Sequence, residues 1–158
     1  MSNVSNTFKE KIFECDKHVQ KIQTAKQYLN DIMPFSVEGY AQISDIHASF
    51  VDQLIFRFSK LQDTIGESLF PAILILAKEQ VKSKTFIDVL NRLEELEIVT
   101  KDQWLELREI RNEISHEYSF NVDDVVVGIN DIFKRSVDLM KIYHKIKGFC
   151  SERFNLVL

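Results

Sequence analysis

NTFKEKIFECDKHVQKIQTAKQYLNDIM, residues 6–33, is the stretch that decides the fold class. Phe8, Ile12, Cys15, Val19, Ile22, Leu29 and Ile32 recur at steps of three and four residues or their sum, which places them on one apolar stripe of a helix turning about 100° per residue. Ser5 or Asn6 is a good N-cap, and Pro34, which lacks an amide proton, ends the pattern.

Working outward, Pro34 to Ser44, with Gly39, reads as a loop. A second helix is expected from Ser44 or Asp45, burying Val51, Leu54, Ile55, Phe58, Leu61 and Ile65; Gly66 and Pro71 should then break or kink it, and Ala72 to Gln80 should continue as helix. Lys82 to Lys84 is a polar link. Thr85 with Asp88 resembles a capping box and opens a helix burying Phe86, Val89, Leu90, Leu93 and Leu96. Thr100 with Gln103 repeats the device before Trp104, Leu107, Ile110 and Ile114. Ser119 to Asn121 interrupts the pattern, and a last long helix from about Asp123 to about Gly148 carries Val126, Ile129, Phe133, Val137, Met140 and Ile146 inward. The expectation is an all-α, up-and-down helical bundle of about five helices forming a single domain over residues 1–158.

Composition agrees. Four glycines and two prolines in 158 residues are too few for a β-sandwich or barrel, which turns every 8–12 residues or so. No two glycines are spaced for a dinucleotide or P-loop fingerprint. The longest apolar run, Leu69 to Ala77, contains Pro71 and is under half the roughly 20 residues of a membrane span. Cys15 and Cys150, far apart and with no CxxC spacing, read as reduced thiols rather than zinc ligands. The start of the chain has neither a charged nor an apolar signal region, so a cytoplasmic protein with no membrane partner is expected. A formal charge of −4 argues against coating nucleic acid through bulk charge.

Most polar residues read as solvated helix faces, and His18, His47 and His144 as structural or simply exposed histidines. The segment LREIRNEISHEY, residues 107–118, does not. Arg111, Ser115 and Tyr118 share one helix face, with Asn112 and His116 in an adjoining row. A fixed cation, an amide, an imidazole and a phenol together suit a phosphate ligand. Histidine brings proton transfer near neutrality and arginine brings permanent charge stabilisation. These are what RNA cleavage without a metal cofactor requires: a base to take the ribose 2′-hydroxyl proton, a cation for the phosphoryl oxygens, and an acid for the departing 5′-oxygen. The segment offers one histidine for two proton transfers, and Arg111 and His116 point about 140° apart on a regular helix. Two such helices facing each other across a two-fold axis would remove both shortfalls, so a homodimer is expected.

Arg111-Asn112-Glu113-Ile114-Ser115-His116 resembles the R-x4–6-H motif of the HEPN superfamily, and Glu117-Tyr118 extends it to the R-x4-H-x-Y form of HepT-type toxins. The resemblance implies an endoribonuclease toxin of a toxin–antitoxin pair, dimeric, with the motif helices lining an RNA cleft. Arg111, His116 and Asn112 would be its catalytic residues, and Ser115 and Tyr118 substrate contacts. It also implies a minimal nucleotidyltransferase antitoxin that adenylylates Tyr118. Two other readings stand beside it: a non-catalytic substrate-binding subunit of such a nucleotidyltransferase, and a plain helical interaction protein in which Arg111 merely pairs with Glu109 or Glu113.

Local charge gives mixed guidance. Lys101, Arg108 and Arg111 face Asp102, Glu106, Glu109, Glu113 and Glu117 between residues 101 and 118, a net of −2. Lys134, Arg135, Lys141, Lys145, Lys147 and Arg153 face only Asp138 and Glu152 between 134 and 153, a net of +4, so a basic helix beside the motif would track a phosphate backbone or form a solvated or antitoxin-facing surface. The stripe Asp52, Arg57, Lys60 and Asp63 reads first as a surface face, the alternative being a wall of the same cleft.

Overall fold

A computed structural model of the chain describes residues 2–114 and 121–158. Helices α1 (Ser2–Leu29), α2 (Val37–Ala41), α3 (Asp45–Thr64), α4 (Phe70–Leu76), α5 (Phe86–Glu95), α6 (Lys101–Ile114) and α7 (Val122–Phe154) follow one another, with no strand among the described residues. The all-α bundle expected from the sequence is what forms. The caps explain the boundaries. Ser44 Oγ accepts from the His47 amide to open α3, Thr85 and Asp88 form the reciprocal capping box of α5, and Thr100 Oγ1 accepts from the Gln103 amide ahead of α6.

The four long helices alternate in direction, as cross-helix pairs show. Arg57 meets His18, and Tyr28 stacks on Phe50 with ring centroids 4.4 Å apart, so α1 and α3 are antiparallel. Lys26 Nζ donates to the Phe133 carbonyl at 2.6 Å and to Ser136 Oγ at 2.7 Å, while the Tyr143 hydroxyl donates to Asp16 at 2.6 Å near the other end, so α7 also runs against α1. Arg135 reaches Glu106, and the Ile114 side chain sits against Gly128, which makes α6 and α7 an antiparallel hairpin.

Several sequence expectations change. Helix α1 starts at Ser2, ahead of Ser5, and ends at Leu29, with a 3₁₀ turn over Asn30–Ile32 before Pro34. The loop holds the short helix α2, capped by Ser36. Gly66 and Pro71 do not break the second helix. A π turn over Ile65–Leu69, in which the Phe70 amide donates to the Ile65 carbonyl, carries the chain into α4, whose first turn seats Pro71 where no amide is required. Helix α4 then stops at Leu76, short of Gln80, because Lys78 turns left-handed (φ 63°) and the Glu79 amide closes on the Leu74 carbonyl. Helix α7 runs past Gly148 to Phe154. Its buried face is Val126, Ile129, Ile132, Ser136, Leu139, Ile142, Tyr143, Ile146 and Cys150, whereas Val137, expected inside, is exposed. Burial pushes the Cys15 and Cys150 thiols up to about 12, so both stay protonated and unreactive at neutral pH.

Trp104, 1% exposed, anchors α6 against the π turn. It packs edge-on to Phe70, centroids 4.6 Å apart, and a Cβ added at Gly66 would stand 3.1 Å from its Cζ2. A side chain at position 66 therefore displaces a buried indole. Gly66→Val is expected to cost about 1–3 kcal/mol, a melting temperature several degrees lower; an unchanged melting curve would show that Trp104 yields freely.

Candidate functional site

Helix α6 has its buried stripe, Trp104, Leu107 and Ile114, on the core, which turns Arg108, Arg111 and Asn112 toward α3 and α5. Between these elements lies a cleft of about 720 Å³. Its floor is Gln62, Gly66 and Trp104; Phe86 and Val89 of α5 form one wall, Arg108, Arg111 and Asn112 another, and Lys84 and Glu67 contribute charge. This size falls in the range of small-molecule sites. The Arg108 guanidinium lies 5.0 Å from the centre of the Phe86 ring, a cation–π arrangement.

Arg111 is the centre of the site. It does not pair with Glu109 or Glu113, both exposed on its own helix. Its Nε donates to Asp63 Oδ1 at 3.1 Å and its Nη2 to Asp63 Oδ2 at 3.0 Å, a two-pronged pair across α3 and α6. The Asp63 hydrogen bonds hold the Arg111 proton more tightly than usual, with Asp63 and Glu67 charges acting in the same direction against partial burial. The guanidinium is thus a fixed cation with its Nε edge committed.

A second cleft of about 520 Å³ lies on the other side of this pair, lined in part by Tyr40, Asp52, Phe56, Lys60, Ile114 and Val125. Both clefts include Asp63 and Arg111, so the pair forms their common partition. Asp52, Lys60 and Asp63, read first as a surface stripe, are therefore cleft walls. Arg57 is not: its Nη1 lies 3.0 Å from His18 Nδ1. Burial, followed by the Arg57 charge, lowers the His18 pKa and favours neutral imidazole. His47 caps its own helix start through Ser44, and His144 is exposed beside Tyr143.

The expected basic track changes place. Because α6 and α7 are antiparallel, Arg111 and Ile114 lie near Val125 and Gly128, while Lys141 and Lys145 lie near Thr100 and Gln103 at the opposite end of α6. Residues 128 and 141 are about 20 Å apart along α7. Arg135 pairs with Glu106 and Asp138, and Lys147 with Asp16. The basic helix therefore does not flank the cleft. Among the described residues, the cations that do are Lys84, Arg108 and Arg111, against Asp63 and Glu67, a formal balance of +1.

Of the sequence-predicted site residues, Arg111 and Asn112 stand together on the cleft wall. Ser115, His116 and Tyr118 lie outside the described residues. Asp63, Gln62, Gly66 and Glu67 were not singled out as a set, although their four-residue spacing does put Gln62 with Gly66 and Asp63 with Glu67. Among the described residues no three His, Cys, Asp or Glu side chains converge in metal-binding geometry, and no helix is long and apolar enough to cross a membrane. No protein-family model, curated protein or solved structure matches the chain.

The Arg111–Asp63 pair is partly exposed, its side chains 27% and 35% accessible, so its contribution to stability is small. Arg111→Ala is expected to cost about 1 kcal/mol or less, lowering the melting temperature by about 2–4 °C. A fall of about 10 °C would mean that the pair itself holds α3 to α6.

Proposed function

We propose that this chain is a HEPN-type endoribonuclease, acting as a homodimer and cleaving RNA without a metal cofactor. The observation that carries the reading is the position of Arg111: the cation of the R-x4-H-x-Y motif lies in a cleft wall beside Asn112, oriented by Asp63, rather than on an open helix face. In the cleavage step one His116 takes the proton of a ribose 2′-hydroxyl. The 2′-oxygen then attacks the adjacent phosphorus. The 5′-oxygen leaves with a proton from the second His116 of the dimer, giving a 2′,3′-cyclic phosphate and a 5′-hydroxyl. Arg111 offsets the charge that builds on the non-bridging oxygens, and Asn112 positions the phosphate. Ser115 and Tyr118 would contact the RNA.

The toxin role and its partner follow from the same resemblance. A minimal nucleotidyltransferase antitoxin would silence the chain by adenylylating Tyr118, placing an anionic nucleotide beside the residues that bind the substrate phosphate. A second reading has one observation behind it. Asp63 already neutralises much of the Arg111 charge, which suits a non-catalytic binding subunit of a nucleotidyltransferase.

The test is purified chain assayed on bulk RNA and tRNA. His116→Ala and Arg111→Ala should each reduce cleavage by at least about 100-fold with helicity retained. Wild-type rates in both variants would overturn the roles given to His116 and Arg111, and an inactive wild type that still binds the nucleotidyltransferase would favour the second reading. Cleavage should also persist at full rate in EDTA; loss on chelation would refute the two-histidine mechanism.

A further inference from the structure

Gln62 is the unexplained group in the cleft. It is 3% exposed, yet neither its amide oxygen nor its amide nitrogen has a hydrogen-bond partner among the described residues. A buried amide in that state is unfavourable on both its donor and its acceptor side. Nothing about the core demands it, since Val51, Leu54, Phe58 and Leu61 fill the other buried positions of the same helix with apolar side chains. Gln62 borders the cleft beside Gly66, whose lack of a side chain leaves the adjoining floor to the Trp104 indole.

We propose that this cleft holds a nucleobase, with the Gln62 amide reading its hydrogen-bonding edge. Three features of the site fit one ligand class. The amide supplies an adjacent donor and acceptor, which matches a base edge bidentately, as Gln and Asn match the amino and ring nitrogens of adenine. Gln62 lines the cleft, so a ligand seated there lies beside that pair. The Arg108 guanidinium, already lying over the Phe86 ring, is a flat cationic platform on which an unstacked base lies. Arg111 and Lys84 then provide cations for the phosphate attached to the base. An anion alone leaves the apolar floor and the amide unused, and an apolar ligand leaves both amide groups unsatisfied. A nucleotide uses all of them. The subsite deepens the ribonuclease reading and rests on it for the phosphate side: it selects the nucleotide next to the cleaved bond.

Trp104 is the chain's one tryptophan and forms part of the cleft floor, so its fluorescence reports occupancy. The full chain is titrated with each of the four nucleoside monophosphates, with a short single-stranded oligoribonucleotide and with inorganic phosphate. A saturable change with nucleotide or oligonucleotide, absent with phosphate, is expected. Response to the oligonucleotide alone identifies the source as RNA, and an equal response to a monophosphate identifies free nucleotide. Gln62→Met keeps the volume, removes the unsatisfied amide and should leave the melting temperature equal or higher, while weakening binding about ten-fold or more. Arg108→Ala, at an exposed position, should weaken it about five-fold or more through lost stacking and serves as the second variant. An equal response to phosphate, no response to any nucleotide or oligonucleotide, or unchanged affinity in folded Gln62→Met overturns the proposal. If binding fails while His116-dependent cleavage persists, the base subsite falls and the ribonuclease reading stands. If binding holds in a chain that cleaves nothing, the reverse follows.

Discussion

Trp104 pressed against the backbone of Gly66 sets the distance between α6 and the α3–α4 rod, and the polar site depends on that distance. Truncating a buried tryptophan typically costs about 3–5 kcal/mol, several times what the polar contacts beside it contribute. With the indole in place, Arg108, Arg111 and Asn112 face Gln62, Asp63 and Glu67 across a gap of ligand size. The π turn belongs to the same arrangement. It lets the helix pass Gly66 and accept Pro71 without breaking, so the residues before and after it stay on one continuous wall.

Within that frame the Arg111–Asp63 pair matters for geometry more than for energy. A pair about a third exposed adds little stability, but two parallel hydrogen bonds fix the plane of the guanidinium and leave a defined edge for a second anion. The same carboxylate tempers the cation. Among the described residues the site's formal balance is only +1, in a chain of net charge −4. Long-range attraction is therefore weak, and recognition falls to short-range contacts: hydrogen bonds, stacking and fit.

Local signals were legible in the sequence. The α1 stripe from Phe8 to Leu29 and the Ser44, Thr85 and Thr100 caps depend on residues within one or two turns, and all of them form. What failed depends on partners distant in sequence. The α7 stripe drifted because that helix is buried by α1, α3 and α6 at once, so Ile132, Leu139 and Ile142 go inward and Val137 does not. The true partner of Arg111 is Asp63, 48 residues away, while Glu109 and Glu113 were nearer along the chain. The basic run of α7 looked adjacent to the motif in sequence, but the antiparallel hairpin carries it to the far end of α6.

That displacement shapes the ribonuclease reading. A nuclease that held RNA along a basic helix would bind many phosphates and choose among sequences poorly. Among the described residues the cations at the cleft are few, one is already paired, and the unsatisfied amide lies beside an aromatic floor. Such a site favours one splayed nucleotide over a long backbone track. The shortage of charge is also an argument for the dimer. Were the helix regular through position 116, Arg111 and His116 would point about 140° apart and one chain would not bring both to the same phosphate, whereas the proposed two-fold pair would bring each arginine toward the partner's histidine. Under that proposal the acidic chain would pose no conflict with RNA chemistry, because charge would be concentrated only where two copies meet around one phosphate.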